Sequence, residues 1–71
     1  MKLSYDPSVD AAYIRFEEGK FEVTTQRLSE DIAVNYSADG RIVGIEILSA
    51  SEHLFKNKKE PVVELENLKV A

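Results

Sequence analysis

Three aspartates stand where tight turns are expected, and carboxylates are the side chains that bind hard cations. Asp6 and Asp10 enclose a proline-containing segment, and Asp39 precedes Gly40. Because Ca²⁺ and Mg²⁺ take oxygen ligands, one hypothesis is a small-ligand or divalent-metal site built from Asp6, Asp10 and Asp39. Aspartate in a turn also accepts hydrogen bonds from nearby backbone N–H groups, and the sequence lacks a glycine-centred calcium loop. We therefore favour turn-forming roles and predict no metal and no cofactor.

The residue types that usually perform catalysis form no recognisable constellation. His53 is the sole histidine, and Ser49 and Ser51 are explained by capping a short helix. A serine nucleophile needs a base within hydrogen-bond reach, and no motif supplies one. The sequence contains no glycine-rich phosphate loop, no nucleophile elbow and no paired-histidine metal helix. We expect a protein that is not an enzyme and has no catalytic residue.

Two residue pairs have the chemistry of a contact surface. Tyr13 and Arg15 lie on the side of a predicted strand opposite its apolar residues, and aromatic side chains and arginine are enriched at interfaces. Leu54 and Phe55 are large apolar residues on the predicted helix. We predict Tyr13, Arg15, Leu54 and Phe55 as interface residues. For Tyr13, packing on the sheet surface is the alternative.

Alternation of apolar and polar residues predicts the elements that carry these side chains. Five strands are expected in an antiparallel β-meander, over residues 2–5, 11–17 and 21–26 and the two arms of a hairpin within residues 31–48. Glu18-Gly19 and Asp39-Gly40 are expected as tight turns. Leu28 has the opposite parity to Val23, which predicts an irregularity near residues 24–27.

The predicted strands agree on one apolar face. Phe16 is expected opposite Phe21, and Tyr36 opposite Val43. The complete face comprises thirteen residues, namely Leu3, Tyr5, Ala12, Ile14, Phe16, Phe21, Val23, Ile32, Val34, Tyr36, Val43, Ile45 and Ile47.

A short helix and a tail are expected after the strands. Ser49 and Glu52 have the spacing of a capping box, which predicts a helix from Ala50 to about Lys56. Residues 1–57 then form one α+β domain, a β-meander followed by a short C-terminal helix. Residues 58–71 form a tail of uncertain structure, because a run this short fits a helix or a strand equally well.

The size of the apolar face predicts a partner. Five strands make a sheet about 24 Å wide, whereas a helix of about seven residues is only about 10 Å long and about 10 Å across. The tail, curling of the sheet, or a second protein must cover the rest. A large exposed apolar area usually marks an interface, and we favour a homodimer.

Composition limits the partners further. The chain has 71 residues, no cysteine and a formal net charge of −4. The acidic balance opposes direct binding to nucleic acid and favours a basic partner. The absence of cysteine suits a reducing compartment, and no apolar run is long enough for a membrane span. We expect a soluble cytoplasmic protein.

The chain also resembles a known family. The matching features are Tyr5-Asp6-Pro7 with Asp10, Tyr13-Ile14, Asn35-Tyr36, and the run from Asp39 to Leu48 with Ser51. Together they are similar to small bacterial domains called domain of unknown function 2283. The resemblance covers Lys2 to about Leu54 and implies a compact β-meander followed by a helix, with no established activity. Genes of this family sometimes lie beside small basic toxin-like proteins, which implies an antitoxin-like role.

Overall fold

The computed structural model describes residues 1–55, 62–64, 66 and 67. Its elements are strands β1 (Lys2–Asp6), β2 (Ala11–Arg15), β3 (Thr24–Arg27), β4 (Ile32–Tyr36) and β5 (Ile42–Ile47), and helix α1 (Ala50–His53). All strand pairs are antiparallel and belong to one sheet. The predicted fold class, a five-stranded antiparallel α+β domain with a short C-terminal helix, is therefore confirmed.

The order of the strands differs from a simple meander. The sheet runs β1-β2-β5-β4-β3, so β2 pairs with β5 and not with β3. The predicted tight hairpin that sets Phe16 opposite Phe21 is wrong. Pairing β2 with β5 sets Ala12 opposite Ile47 and Ile14 opposite Ile45, which gathers apolar residues in the middle of the sheet. Residues 16–23 instead cross from β2 to β3 at the far edge.

Two rows of side chains form most of the predicted apolar face. One row runs Tyr5, Ala12, Ile47, Ile32 across four strands, and the next runs Leu3, Ile14, Ile45, Val34. The registers of the β1–β2 and β4–β5 hairpins are as predicted for these eight residues. They share one side of the sheet because side chains alternate along each strand.

The β4–β5 turn is longer than the predicted two-residue turn. Gly40 N–H donates to the Ser37 carbonyl at 3.0 Å, and Gly40 has a positive φ of 84°. The register shifts between Asn35 and Tyr36, so that Tyr36 pairs with Ile42 and not with Val43 as predicted. Val43 is the residue of β5 that this register skips, so the irregularity is a β-bulge at Val43, separate from the turn that Gly40 closes.

The core lies between the sheet and α1. Ala12, Ile47, Ala50 and Phe55 form its buried cluster, and the Phe55 ring meets the Tyr5 ring edge-on at a centroid distance of 4.8 Å. The helix ends at His53, with Leu54 as its C-cap. The rest of the predicted helix, from Lys56, lies outside the described residues. Of the tail, residues 62–64, 66 and 67 are described and lie in neither helix nor strand.

Candidate functional site

The three turn aspartates do not come together. Asp6 and Asp10 enclose the β1–β2 turn, at the end of the sheet where β5 leads into α1. Asp39 lies in the β4–β5 turn at the opposite end. In the part of the chain that the structure describes, no group of three His, Asp or Glu side chains is arranged to hold a metal ion.

Asp10 joins the first hairpin to the helix. Its Oδ1 accepts hydrogen bonds from the Tyr5 hydroxyl at 2.7 Å and from Ser51 N–H at 3.0 Å, and its Oδ2 accepts one from the Ser51 hydroxyl at 2.6 Å. Its backbone carbonyl accepts from Ala50 N–H at 2.9 Å. Asp10 also occupies the left-handed region, with φ 52°. We name Tyr5, Asp10 and Ser51 the hinge-turn network.

This network replaces the predicted capping box, which is wrong. Ser49 is the N-cap residue, but its side chain makes no capping hydrogen bond and its own φ is 51°. The N–H groups of Ala50 and Ser51 are satisfied by Asp10, which lies about forty residues earlier in the chain. A sequence pattern for local capping has no means of detecting a cap that comes from another hairpin.

The surroundings of Tyr5 favour its neutral form. Burial, followed by its hydrogen bond to Asp10 and the nearby negative charge, raises the pKa of Tyr5 from 10.0 to about 12. The other two turn aspartates are stabilised as anions. The Ser8 hydroxyl and amide lower the pKa of Asp6, and the Ser37 hydroxyl lowers that of Asp39. Asp6 and Asp39 thus accept hydrogen bonds from residues within their own turns, whereas Asp10 also accepts from Ser51, far along the chain.

The predicted interface pair Tyr13 and Arg15 lies on the sheet side opposite α1. The Tyr13 ring crosses over Gly44, where an added Cβ would overlap its hydroxyl, and the Tyr13 oxygen accepts from Asn35 Nδ2 at 3.1 Å. Arg15 donates to the carbonyls of Glu17 and Gly19 and so holds the crossing segment after β2. Both side chains are half-buried.

Substituting Gly44 with alanine should displace Tyr13. Because the added methyl group takes the space of the Tyr13 ring, we expect Gly44→Ala to cost about 1–2 kcal/mol of unfolding free energy in urea denaturation. In a Tyr13→Ala background the same substitution should cost less than about 0.5 kcal/mol, since the obstruction is gone. Equal costs in the two backgrounds would show that Tyr13 does not occupy that space.

The second predicted interface pair, Leu54 and Phe55, has one exposed and one buried member. Phe55 is 5% exposed and belongs to the core, whereas Leu54 is 41% exposed. Leu54 lines an open cavity of about 300 Å³ together with Met1, Leu3 and the described tail residues Val62 and Val63. Met1, Leu3, Val62 and Val63 were not predicted as interface residues from the sequence, although Leu3 was assigned to the apolar face. We name the exposed side chains around this cavity the open apolar patch: Met1, Leu3, Leu54, Val62 and Val63.

Three residues of the predicted apolar face line a second cavity of about 420 Å³ with Tyr13 and Arg15, on the side of the sheet opposite α1. One is Val43, which lies at the register shift of β5. The other two are Phe21 and Val23. Their assignment to the apolar face with Ile14 is therefore wrong. It depended on the β2–β3 hairpin, which does not form.

His53 has a structural partner. Its Nε2 lies 2.9 Å from Asp31 Oδ2, which connects α1 to the turn before β4. Both side chains are partly exposed. In the described part of the chain we see no nucleophile beside them.

The fold and these contacts define a small antiparallel domain whose helical turn is held by its first hairpin. Residues 2–51 match the family described as "Protein of unknown function (DUF2283)". This segment is more than half of the 71-residue chain, so the chain belongs to that family. The match includes the hinge-turn network and Tyr13, but not Leu54 or the tail. No curated protein and no solved structure matches the chain.

The helical content also bears on membrane association. Within the described residues, no helix has the length and apolar character needed to cross a bilayer.

Proposed function

We propose that this protein is a non-enzymatic interaction module that forms a homodimer through its open apolar patch. The observation that supports this is the clustering of exposed apolar side chains. Of eleven exposed large hydrophobic residues in the described part of the chain, five surround a single cavity. Contiguous apolar surface of this kind usually marks an interaction site.

The degree of exposure supports the same proposal. Val62 is 68% exposed, Val63 54% and Leu54 41%. Within the described ranges, Glu64 is the only charged residue that lines the cavity. Removing such side chains from water contributes about 25 cal/mol per Å² of apolar area. A partner that covers the patch would therefore bind mainly through apolar contact.

A second copy of the chain is the occupant that the shape favours. The patch has both a cavity and prominent apolar side chains beside it, Val62 and Val63. A two-fold dimer brings the same patch of each copy together, so the protruding residues of one copy can enter the cavity of the other. The net charge of −4 opposes association of two copies at long range, so we expect dimerisation to strengthen as salt is raised.

Light scattering over a dilution series tests this proposal. We expect a mass near twice the 8.0 kDa of the chain at high concentration, falling toward the chain mass on dilution. Val63→Glu should weaken the dimer at least about tenfold, because it places a carboxylate in an apolar contact.

Val9→Glu is the matched control, because Val9 is 67% exposed in the β1–β2 turn and does not line the cavity. It should leave the dissociation constant unchanged. A mass of one chain at every concentration, or equal effects of the two variants, would overturn the proposal.

A narrower form of the proposal is an antitoxin-like regulator that binds a small basic protein in a reducing compartment such as the cytoplasm. The acidic net charge and the lack of cysteine support it. Co-expression with the product of an adjacent gene tests it. Co-purification that weakens as the salt concentration is raised is the expected result, because salt screens the attraction between opposite charges. No co-purification with a basic neighbour would reject this form and leave the homodimer unaffected.

A further inference from the structure

The second cavity has a composition unlike the rest of this acidic chain. It lies on the sheet side opposite α1, between β2, β4 and the crossing segment, and measures about 420 Å³. Among the residues that the structure describes, its wall includes Arg15 and Lys20 but no carboxylate. The neighbouring Glu17 and Glu46 do not line it, and they pair with Arg41 and Arg27. The cavity therefore presents positive charge in a protein of net charge −4.

The hydrogen bonds made by the described wall residues leave donor groups on Tyr13 and Arg15 that these bonds do not use. Thr25 Oγ1 donates to Asn35 Oδ1 at 2.6 Å, and Asn35 Nδ2 donates to the Tyr13 oxygen at 3.1 Å. Because the Tyr13 oxygen is the acceptor in that bond, the single hydrogen of its hydroxyl group can donate to a ligand. Arg15 uses Nε and Nη2 for loop carbonyls, which leaves Nη1. These donors suit an anion.

Two exposed apolar side chains line the cavity together with these donors. Phe21 and Val23 line it and are 42% and 44% exposed. An aromatic ring and a branched side chain beside cations form a surface on which a planar ligand can stack while its charged group meets the donors.

We propose that this cavity binds a small aromatic anion, with its carboxylate or phosphate group near Arg15, Lys20 and the Tyr13 hydroxyl and its ring against Phe21. The site shares no residue with the open apolar patch. Binding here and dimerisation are therefore independent proposals.

Amide NMR titration with defined probes tests the site. We expect benzoate and phenyl phosphate to produce saturable shifts confined to the amides of Gly19, Lys20, Phe21, Asn35 and Gly44. Benzyl alcohol, which has the ring without the charge, should produce none that saturate. Inorganic phosphate, which has the charge without the ring, should bind more weakly than phenyl phosphate. Shifts scattered over the surface, or none at all, would overturn the proposal.

Three variants assign the roles. Lys20→Gln should weaken phenyl phosphate binding about 5-fold by removing one cation, and Lys20→Arg should restore it. Tyr13→Phe should weaken binding about 3- to 10-fold by removing a donor. Lys2→Gln is the matched control, because Lys2 lies opposite Arg15 on the same side of the sheet but does not line the cavity, and it should weaken binding less than about 2-fold. Equal effects of Lys2→Gln and Lys20→Gln would show general attraction of anions and reject the site.

Discussion

Ile47→Asp is expected to unfold the protein at room temperature. Ile47 is 5% exposed and packs against Ala12, Ala50 and Phe55 in the core. A carboxylate at this position loses its hydration without gaining a partner, which costs several kcal/mol. A domain of 71 residues has a total stability of only about 4–10 kcal/mol. Circular dichroism and amide NMR should report loss of the folded state.

Ile42→Asp is the matched control for this experiment. Ile42 begins the same strand but is 43% exposed. Its replacement should cost less than about 1 kcal/mol, since an exposed carboxylate keeps its water. A folded Ile47→Asp protein, or equal losses for both variants, would show that the apolar side of the sheet has been assigned wrongly.

Asp10→Ala is expected to lower the free energy of unfolding by about 3 kcal/mol. The substitution removes the carboxylate that accepts from Tyr5 and twice from Ser51. A hydrogen bond to a charged group contributes a net of about 1.5–3 kcal/mol, and we expect less than the full total because the network is only partly buried and water can take the place of the lost acceptor. Alanine has a Cβ, as aspartate does, so it keeps the strained φ of 52° and adds little to the loss. Urea denaturation measures the loss.

Two further variants separate the causes. Asp10→Gly removes the same hydrogen bonds but relieves the backbone, so it should cost about 1 kcal/mol less than Asp10→Ala. Asp6→Ala is the matched control, because Asp6 is a turn aspartate whose hydrogen bonds go only to Ser8, and it should cost less than about 1 kcal/mol. Similar losses for Asp6→Ala and Asp10→Ala would mean that Asp10 does not hold the helix.

The pH dependence offers a second readout of the same network. The pKa of Tyr5 is raised from 10.0 to about 12, so the folded state holds the phenol proton more tightly than the unfolded state. The stability that this provides is complete below pH 10 and is lost as the pH rises toward 12. In Asp10→Ala the pKa of Tyr5 should fall only part of the way, because burial is the larger cause. A Tyr5 titration followed by NMR would measure it.

Local alternation of apolar and polar residues was sufficient to predict the class of fold and the registers of two of its hairpins. Alternation in residues 2–15 and 31–48 predicts the registers that set Leu3 opposite Ile14 and Val34 opposite Ile45, and both are observed. These registers are predictable because a short turn joins the two strands of each hairpin. The apolar residues of both strands must then lie on the same side of the sheet. The family was also recognisable from its turn residues and the glycine-containing arm of the last hairpin.

Packing between distant parts of the chain selects which strands are neighbours when they are far apart in sequence. The turn-like pair Glu18-Gly19 favours a hairpin from β2 to β3, but pairing β2 with β5 buries Ala12 and Ile47 against the helix. This choice moves Phe21 and Val23 to the opposite side and creates the cationic cavity there. The cap that Asp10 gives to α1 depends on the same packing. Such contacts join residues up to about forty positions apart. A pattern read over a few neighbouring residues therefore does not predict them.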